Sequence, residues 1–187
     1  MYSNTVISSL FIAAIAVLAW TFFLSQNSVV PQSTRDDHQP DSFMQDVHAI
    51  VMDKFGRPSL KIVTPQMIHF AQNDTSVLTT PILTLYRNSP EPWYITSNIA
   101  YVTNSANNVE FKQNVLIQHA ADNAHPATVI KTDTLMVHPN QKTADTADAI
   151  TLMQPDAVVV GIGMHADLNT GDIHLLTRAR GEYVPHH

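Results

Sequence analysis

The residues that could do chemistry are few. The chain has no Cys, so disulfides and thiolate metal ligands are excluded. It has ten His. His186 and His187 end the chain and fit the stub of a purification tag. The other eight are scattered, with no HExxH or HxxxH pair to put two ligands on one helix face, so they are expected on strands and loops. Gly161-Ile162-Gly163 sits inside an alternating apolar run and not before a helix. It predicts close backbone approach or a bend rather than a phosphate loop. Asp145 and Asp148 are expected as loop carboxylates. Glu91, Glu110 and Glu182 are the only Glu in the chain. They fall at turn or solvent-facing places, which leaves little for a carbohydrate-active pair. GxSxG, Walker and GxGxxG-before-helix patterns are missing. Trp93, after Pro90-Glu91-Pro92, is expected to fill or cap a core, with ligand stacking as the alternative. The net charge of −6 argues against a general nucleic-acid surface. The chain is not expected to be an enzyme, and no cofactor is expected.

The elements that must position these residues divide the chain. Residues 1–5 read as a short cytoplasmic tail. Residues 6–24 form an uncharged run of 19, whose only polar members are Ser8, Ser9 and Thr21. As a helix it would be roughly 28 Å long, enough to cross a bilayer core. Trp20, Phe22 and Phe23 suit an interfacial belt. A cleaved signal peptide, with Ala14-Ile15-Ala16 as its cleavage site, is the alternative. It fits less well because Met1–Thr5 carries no basic residue and the apolar run continues past Ala16. Residues 25–40 read as a flexible linker, and 41–185 as one domain.

Beyond the linker the pattern is short, β-branched and period-2. Expected strands are Met44–Met52, Leu60–Phe70, Ser76–Tyr86 with a bulge or edge at Pro81, Trp93–Tyr101, Val109–Gln118 and Thr128–Val137. A further segment from Lys142 to Leu152 follows. Trp93, Ile95, Ile99 and Tyr101 are expected on one face. Val158, Val160, Ile162, Met164, Ala166 and Leu168 form the longest alternation, and Ile173, Leu175, Ala179 and Tyr183 close the chain. Asp53-Lys54-Phe55-Gly56 and Asn169-Thr170-Gly171 are turns. The fold class is all-β: an antiparallel open β-jellyroll or sandwich preceded by one transmembrane helix.

The order of several pieces is similar to that of the LptC lipopolysaccharide-export family. They are Pro40-Asp41-Ser42-Phe43-Met44, Phe55-Gly56, Leu78 to Tyr86, Pro92-Trp93-Tyr94-Ile95 and Phe111-Lys112-Gln113-Asn114-Val115. Thr132-Asp133-Thr134-Leu135, Thr143-Ala144-Asp145-Thr146, Gly161-Ile162-Gly163-Met164 and Arg178 to Tyr183 complete the set. Gln113 stands where the family usually has Gly, and Gln154-Pro155 stands where Gly can occur. The resemblance implies an inner-membrane, single-pass protein with a periplasmic jellyroll. It would accept lipopolysaccharide from an inner-membrane ABC transporter and pass it to a periplasmic bridge protein of similar fold. The lipid-facing residues so implied are Val47, Ile62, Leu78, Leu83, Ile95, Ile99, Val115, Leu135, Val160, Ile162, Met164, Ile173 and Tyr183. Partner contacts are implied at the N-terminal edge (Met44, Val47, Val51, Gly56) and the C-terminal edge (Ile173, Leu175, Tyr183). Ser8, Ser9 and Ala13 to Ala19 would give the anchor a packing face. The alternative is a tethered adaptor that binds only proteins through its sheet edges, with a filled interior.

Overall fold

The structure is a computed structural model that describes residues 39–86, 90–103, 105–123 and 125–183. The expected tail, transmembrane helix and most of the linker lie outside the described residues. Among the described residues no helix is long and apolar enough to cross a membrane.

Eleven strands account for most of the domain. They are β1 (Ser42–Met52), β2 (Pro58–Phe70), β3 (Thr75–Thr79), β4 (Ile82–Leu85), β5 (Trp93–Thr96), β6 (Ile99–Thr103), β7 (Asn108–His119), β8 (Thr128–His138), β9 (Thr143–Gln154), β10 (Ala157–Asp167) and β11 (Ile173–Tyr183). Every pairing is antiparallel. β2 pairs β4 through Leu60–Val63 and β3 through Gln66–Phe70. β7 pairs β5 through its C-terminal half and β6 through its N-terminal half. β3 with β4, and β5 with β6, therefore act as two bent strands. The sheet is one meander with edges at β1 and β11.

Each strand is interrupted at the same transverse line. β1 skips Asp46 (φ 50°) between its pairings to Gln66 and Thr64. β2 changes partner at Thr64-Pro65. The β3–β4 break holds Thr80 (φ 42°) and Pro81, and β7 carries Gln113 (φ 65°) and Asn114 (φ 56°). The β8–β9 ladder is open between the Lys131–Thr151 and Met136–Asp145 pairs. β10 turns at Gly163 (φ 75°), and β11 at Arg178 (φ 51°). Pro65 and Pro81 cost no ladder bond here, because the ladder is already broken. The line is a crease that divides the sheet into two leaves.

At such a crease backbone groups lose their strand partners and must find others. Side-chain hydroxyls supply many of them. Buried Thr64 donates its hydroxyl to the Thr79 carbonyl oxygen at 2.6 Å. Ser97 donates to the Ile99 carbonyl oxygen at 2.8 Å. Thr177 donates to the Ile162 carbonyl oxygen at 3.1 Å. Across the open β8–β9 ladder, Thr134 donates to the Asp148 carboxylate at 2.6 Å, and the Asp148 N–H donates to the Thr146 hydroxyl at 3.1 Å. The backbone spans the rest: the Thr80 N–H donates to Asn98 O at 2.8 Å, and the Asn98 N–H to Gln113 O at 3.0 Å.

The crease also resets which residues face inward, and this corrects three expectations. Ser76–Tyr86 is two strands, not one. Trp93–Tyr101 is also two. Ile99 is paired with Thr79 and Lys112 on the outer face, while its neighbour Ala100 is buried. In β10 the expected six-residue alternation breaks at Gly163. Met164 and Ala166 are buried, but Val158, Val160 and Ile162 are 42%, 44% and 37% exposed. The period-2 rule holds only while the strand is unbroken.

Two substitutions probe the crease. Gly163→Val sets a Cβ at a positive φ and 2.9 Å from Leu176 Cδ1. It should lower unfolding stability by about 1–3 kcal/mol. Thr64→Val keeps the volume but removes the buried hydroxyl that donates to the Thr79 carbonyl oxygen, with an expected loss of about 0.5–1.5 kcal/mol. Urea unfolding of the two variants reads both; unchanged midpoints would remove the crease from the account of stability.

Candidate functional site

Inside the fold the two leaves meet through apolar side chains. The core runs from Leu60, Leu78, Leu83 and Leu85 through Ile95, Phe111 and Val115 to Ile130, Leu135, Ile150 and Met164. Fully burying one such side chain contributes about 1.5–3 kcal/mol, so this layer is the main source of cohesion between the leaves.

A cavity of about 470 Å³ opens at the crease beside Asn114, Val115, Lys131, Thr132 and Ala149, and a smaller one of about 30 Å³ lies within the inner layer. Leu85, Trp93, Ile95, Ile117 and Ile130 form one wall. Leu135, Ala144, Met164, Ala166, Leu168 and Ile173 form the other. The first wall belongs to the leaf holding β4 and β5, the second to the ends of β8–β11 beyond the crease. The lining includes one carboxylate, Asp167, whose Oδ1 accepts the N–H groups of Asn169 at 2.6 Å and Thr170 at 3.1 Å. It holds the β10–β11 turn. At the end of β5, Trp93 stacks on buried His119 with centroids 4.7 Å apart. His119 Nε2 stands 3.6 Å from the Asp122 carboxylate. Trp93 thus packs against the core, as one of its two readings required.

The implied lipid-facing residues fall into three groups. Leu78, Leu83, Ile95, Val115, Leu135 and Met164 are buried in the inner layer. Val47, Ile62 and Ile173 are half-buried on it, with Val47 opposite Thr64 on β2 and Ile173 opposite Ala166 on β10. Ile99, Val160 and Ile162 lie on the outer face and are separated from the rest by the resets described above. Tyr183 pairs with Ala157 on the inner face yet is 71% exposed, because none of the described residues covers that corner of β11. Among the implied partner residues, Met44 and Val51 are exposed on the β1 edge, Leu175 is half-buried on β11, and Gly56 sits at the β1–β2 turn with φ 76°. The strand edges therefore carry inner-face apolar groups that the fold does not close over.

Leu85, Ile117, Ile130, Ala144 and Ala166 line the smaller cavity and were not singled out as site residues. Ile117 follows from the phase of Val115 in β7. Ala166 stands in the alternation of β10 in phase with Met164, whereas Ala144 leaves no hydrophobic signal strong enough to read. Asp145 and Asp148, expected in a loop, lie instead on strand β9, where Asp145 bonds to His165 and Asp148 to Thr134. Among the described residues no three His, Asp or Glu are grouped to hold a metal.

The division into buried and outer residues is measurable. Leu83→Ala should cost about 2–5 kcal/mol. Val160→Thr should change stability by no more than about 0.5 kcal/mol. Equal losses in denaturant titrations would contradict the assigned faces.

Comparisons with known proteins agree with this architecture. Among solved structures the chain is similar to LptH from Pseudomonas aeruginosa, described as the LptA-homologous periplasmic component of the conserved lipopolysaccharide transport device. The identity is 12%, the TM-score 0.50, and the match covers 80% of this chain and 99% of that one. At that identity the likeness concerns the fold. No curated protein sequence matches. A family model described as lipopolysaccharide-assembly, LptC-related, matches residues 11–184. With nearly the whole chain matched, the protein belongs to the LptC-related lipopolysaccharide-assembly family.

Proposed function

We propose that this chain carries lipopolysaccharide along the inner layer of its sheet. In this reading it accepts the lipid from an inner-membrane ABC transporter and hands it to a periplasmic bridge protein of similar fold. Residues 6–24 hold it in the inner membrane, with the domain in the periplasm. The observation that carries the reading is the continuous apolar inner layer, which reaches both sheet edges and is left uncovered at Met44, Val51 and Tyr183. Family membership supplies the lipid class.

The chemistry of the cargo fits. Acyl chains gain about 0.8 kcal/mol per buried CH₂, independent of the protein's net charge. The anionic head group stays in water, which a chain of net charge −6 tolerates. The enclosed space at Leu85 and Met164, about 30 Å³, admits no acyl chain, so in this reading loading there separates the leaves. The crease is the place for that motion, since the ladder between β8 and β9 is already open there. The unpaired edges of β1 and β11 offer backbone groups for strand addition. β1 would meet the transporter's periplasmic part through Met44, Val47, Val51 and Gly56. β11 would meet the bridge protein through Ile173, Leu175 and Tyr183.

The small cavity is also what a protein-only adaptor would have. Photo-cross-linking separates the two. A cross-linker at Val47, Leu175 or Tyr183 should be labelled by lipopolysaccharide, and one at outward Val160 should not. Silence at all three inner positions, with partner binding intact, would favour the adaptor. Leu175→Pro should weaken capture of the bridge protein by about tenfold or more if β11 extends that protein's sheet. Undiminished capture would assign the bridge contact elsewhere.

A further inference from the structure

The β1–β2 hairpin has features that neither the interior nor the edge ladders use. Between Val47 and Asn73 the chain carries Lys54, Arg57 and Lys61 against the single acid Asp53, whereas the whole chain has net charge −6. At the same place Ile50 and Met52 are exposed, and Phe55 is 70% exposed at the tip. Among the described residues, a Cβ at Gly56 would meet nothing within 4 Å, so the turn has open space at its end.

The tip is also built, not loose. Asp53 Oδ1 accepts the N–H groups of Phe55 at 2.8 Å and Arg57 at 3.0 Å, and the Arg57 guanidinium closes on Oδ2 at 2.8 Å. The Arg57 backbone N–H comes first among the causes that hold the Asp53 carboxyl below its usual range. This frame fixes Phe55 outward with Lys54 Nζ 5.0 Å and Arg57 Cζ 5.4 Å from its ring centre. On the outer face exposed Ile50 pairs with half-buried Lys61, so a further cation lies on the same hairpin.

We infer that the β1–β2 hairpin tip, through Phe55, Met52, Lys54, Arg57 and Lys61, docks on an anionic lipid bilayer surface. A protruding aromatic group ringed by flexible cations suits the headgroup boundary, where the ring enters the acyl region and the cations meet lipid phosphates. The tip is convex and led by an exposed aromatic ring, which favours a bilayer over an acidic protein. The contact is independent of what the interior carries, so it can fail while the carrier reading stands, or the reverse.

The chain has no Cys, so Met52→Cys gives a unique site for an environment-sensitive fluorophore. Labelled full chain is reconstituted into phosphatidylcholine vesicles, and into vesicles of phosphatidylcholine mixed equally with phosphatidylglycerol. Quenching by headgroup spin-labelled lipid reports contact. The anionic vesicles should give strong quenching that falls about fivefold with Lys54→Gln, and at least as far with Phe55→Ser. Added salt should reduce it likewise. Both substitutions are at exposed positions, and circular dichroism checks that the sheet is retained. Quenching that ignores lipid charge and both substitutions would overturn the proposal. So would protection of the fluorophore only when an acidic protein partner is added.

Discussion

Nine antiparallel strand paths cannot all bend along one line without stranding the backbone groups that lie on it. That requirement governs this domain. An unpaired buried carbonyl or amide costs about 1–3 kcal/mol, so a crease of this length is tenable only if almost every group on it finds a partner. Thr64, Ser97, Thr146 and Thr177 meet the need with side-chain hydroxyls, and Thr134 ties β8 to the Asp148 carboxylate of β9. Residues at positive φ make the bend itself. The apolar layer then follows, because bending brings Leu85, Trp93 and Ile95 over Met164, Ala166 and Ile173. The sandwich is thus one sheet folded on itself rather than two sheets brought together.

That origin explains how far the sequence could be read. Strand placement was legible because alternation is strong in β7, β8 and β10, and because Pro81 and the Asn169-Thr170-Gly171 turn punctuate it. The faces were legible only up to the crease. Leu83, Val115 and Leu135 lie in unbroken stretches and are buried. Val160 and Ile162 precede Gly163, and Ile99 follows Ser97-Asn98, so counting across the bend put them on the wrong side. Gly161-Ile162-Gly163 was recognised as a bending element, but a bend that also reverses the alternation has no local sequence mark. The hydroxyls on the crease gave no signal either, because a Thr in a strand is ordinary and its partner lies on another strand. Ala144 escaped notice for want of size.

Function follows from what the fold leaves open. A closed sandwich would cover its inner layer everywhere. Here the leaves are nearly shut in the middle and uncovered at the edges, where Val51 on one side and Tyr183 on the other extend the apolar layer into solvent. Such a layer can be prolonged by another sheet without a seam. The basic, aromatic tip of the β1–β2 hairpin, in this account, keeps membrane contact separate from cargo contact. In this account the crease supplies the motion, the inner layer supplies affinity for acyl chains, and the edges supply direction.

The central claim is that acyl chains enter between the two leaves. The most direct measurement is the distance between spin labels on cysteines replacing Tyr94 and His165, one on each leaf and both on the outer face, with and without lipopolysaccharide. The account predicts that the separation grows when lipid is added and returns when the bridge protein removes it. An unchanged separation, with lipopolysaccharide demonstrably bound, would place the lipid outside the leaves and contradict the account.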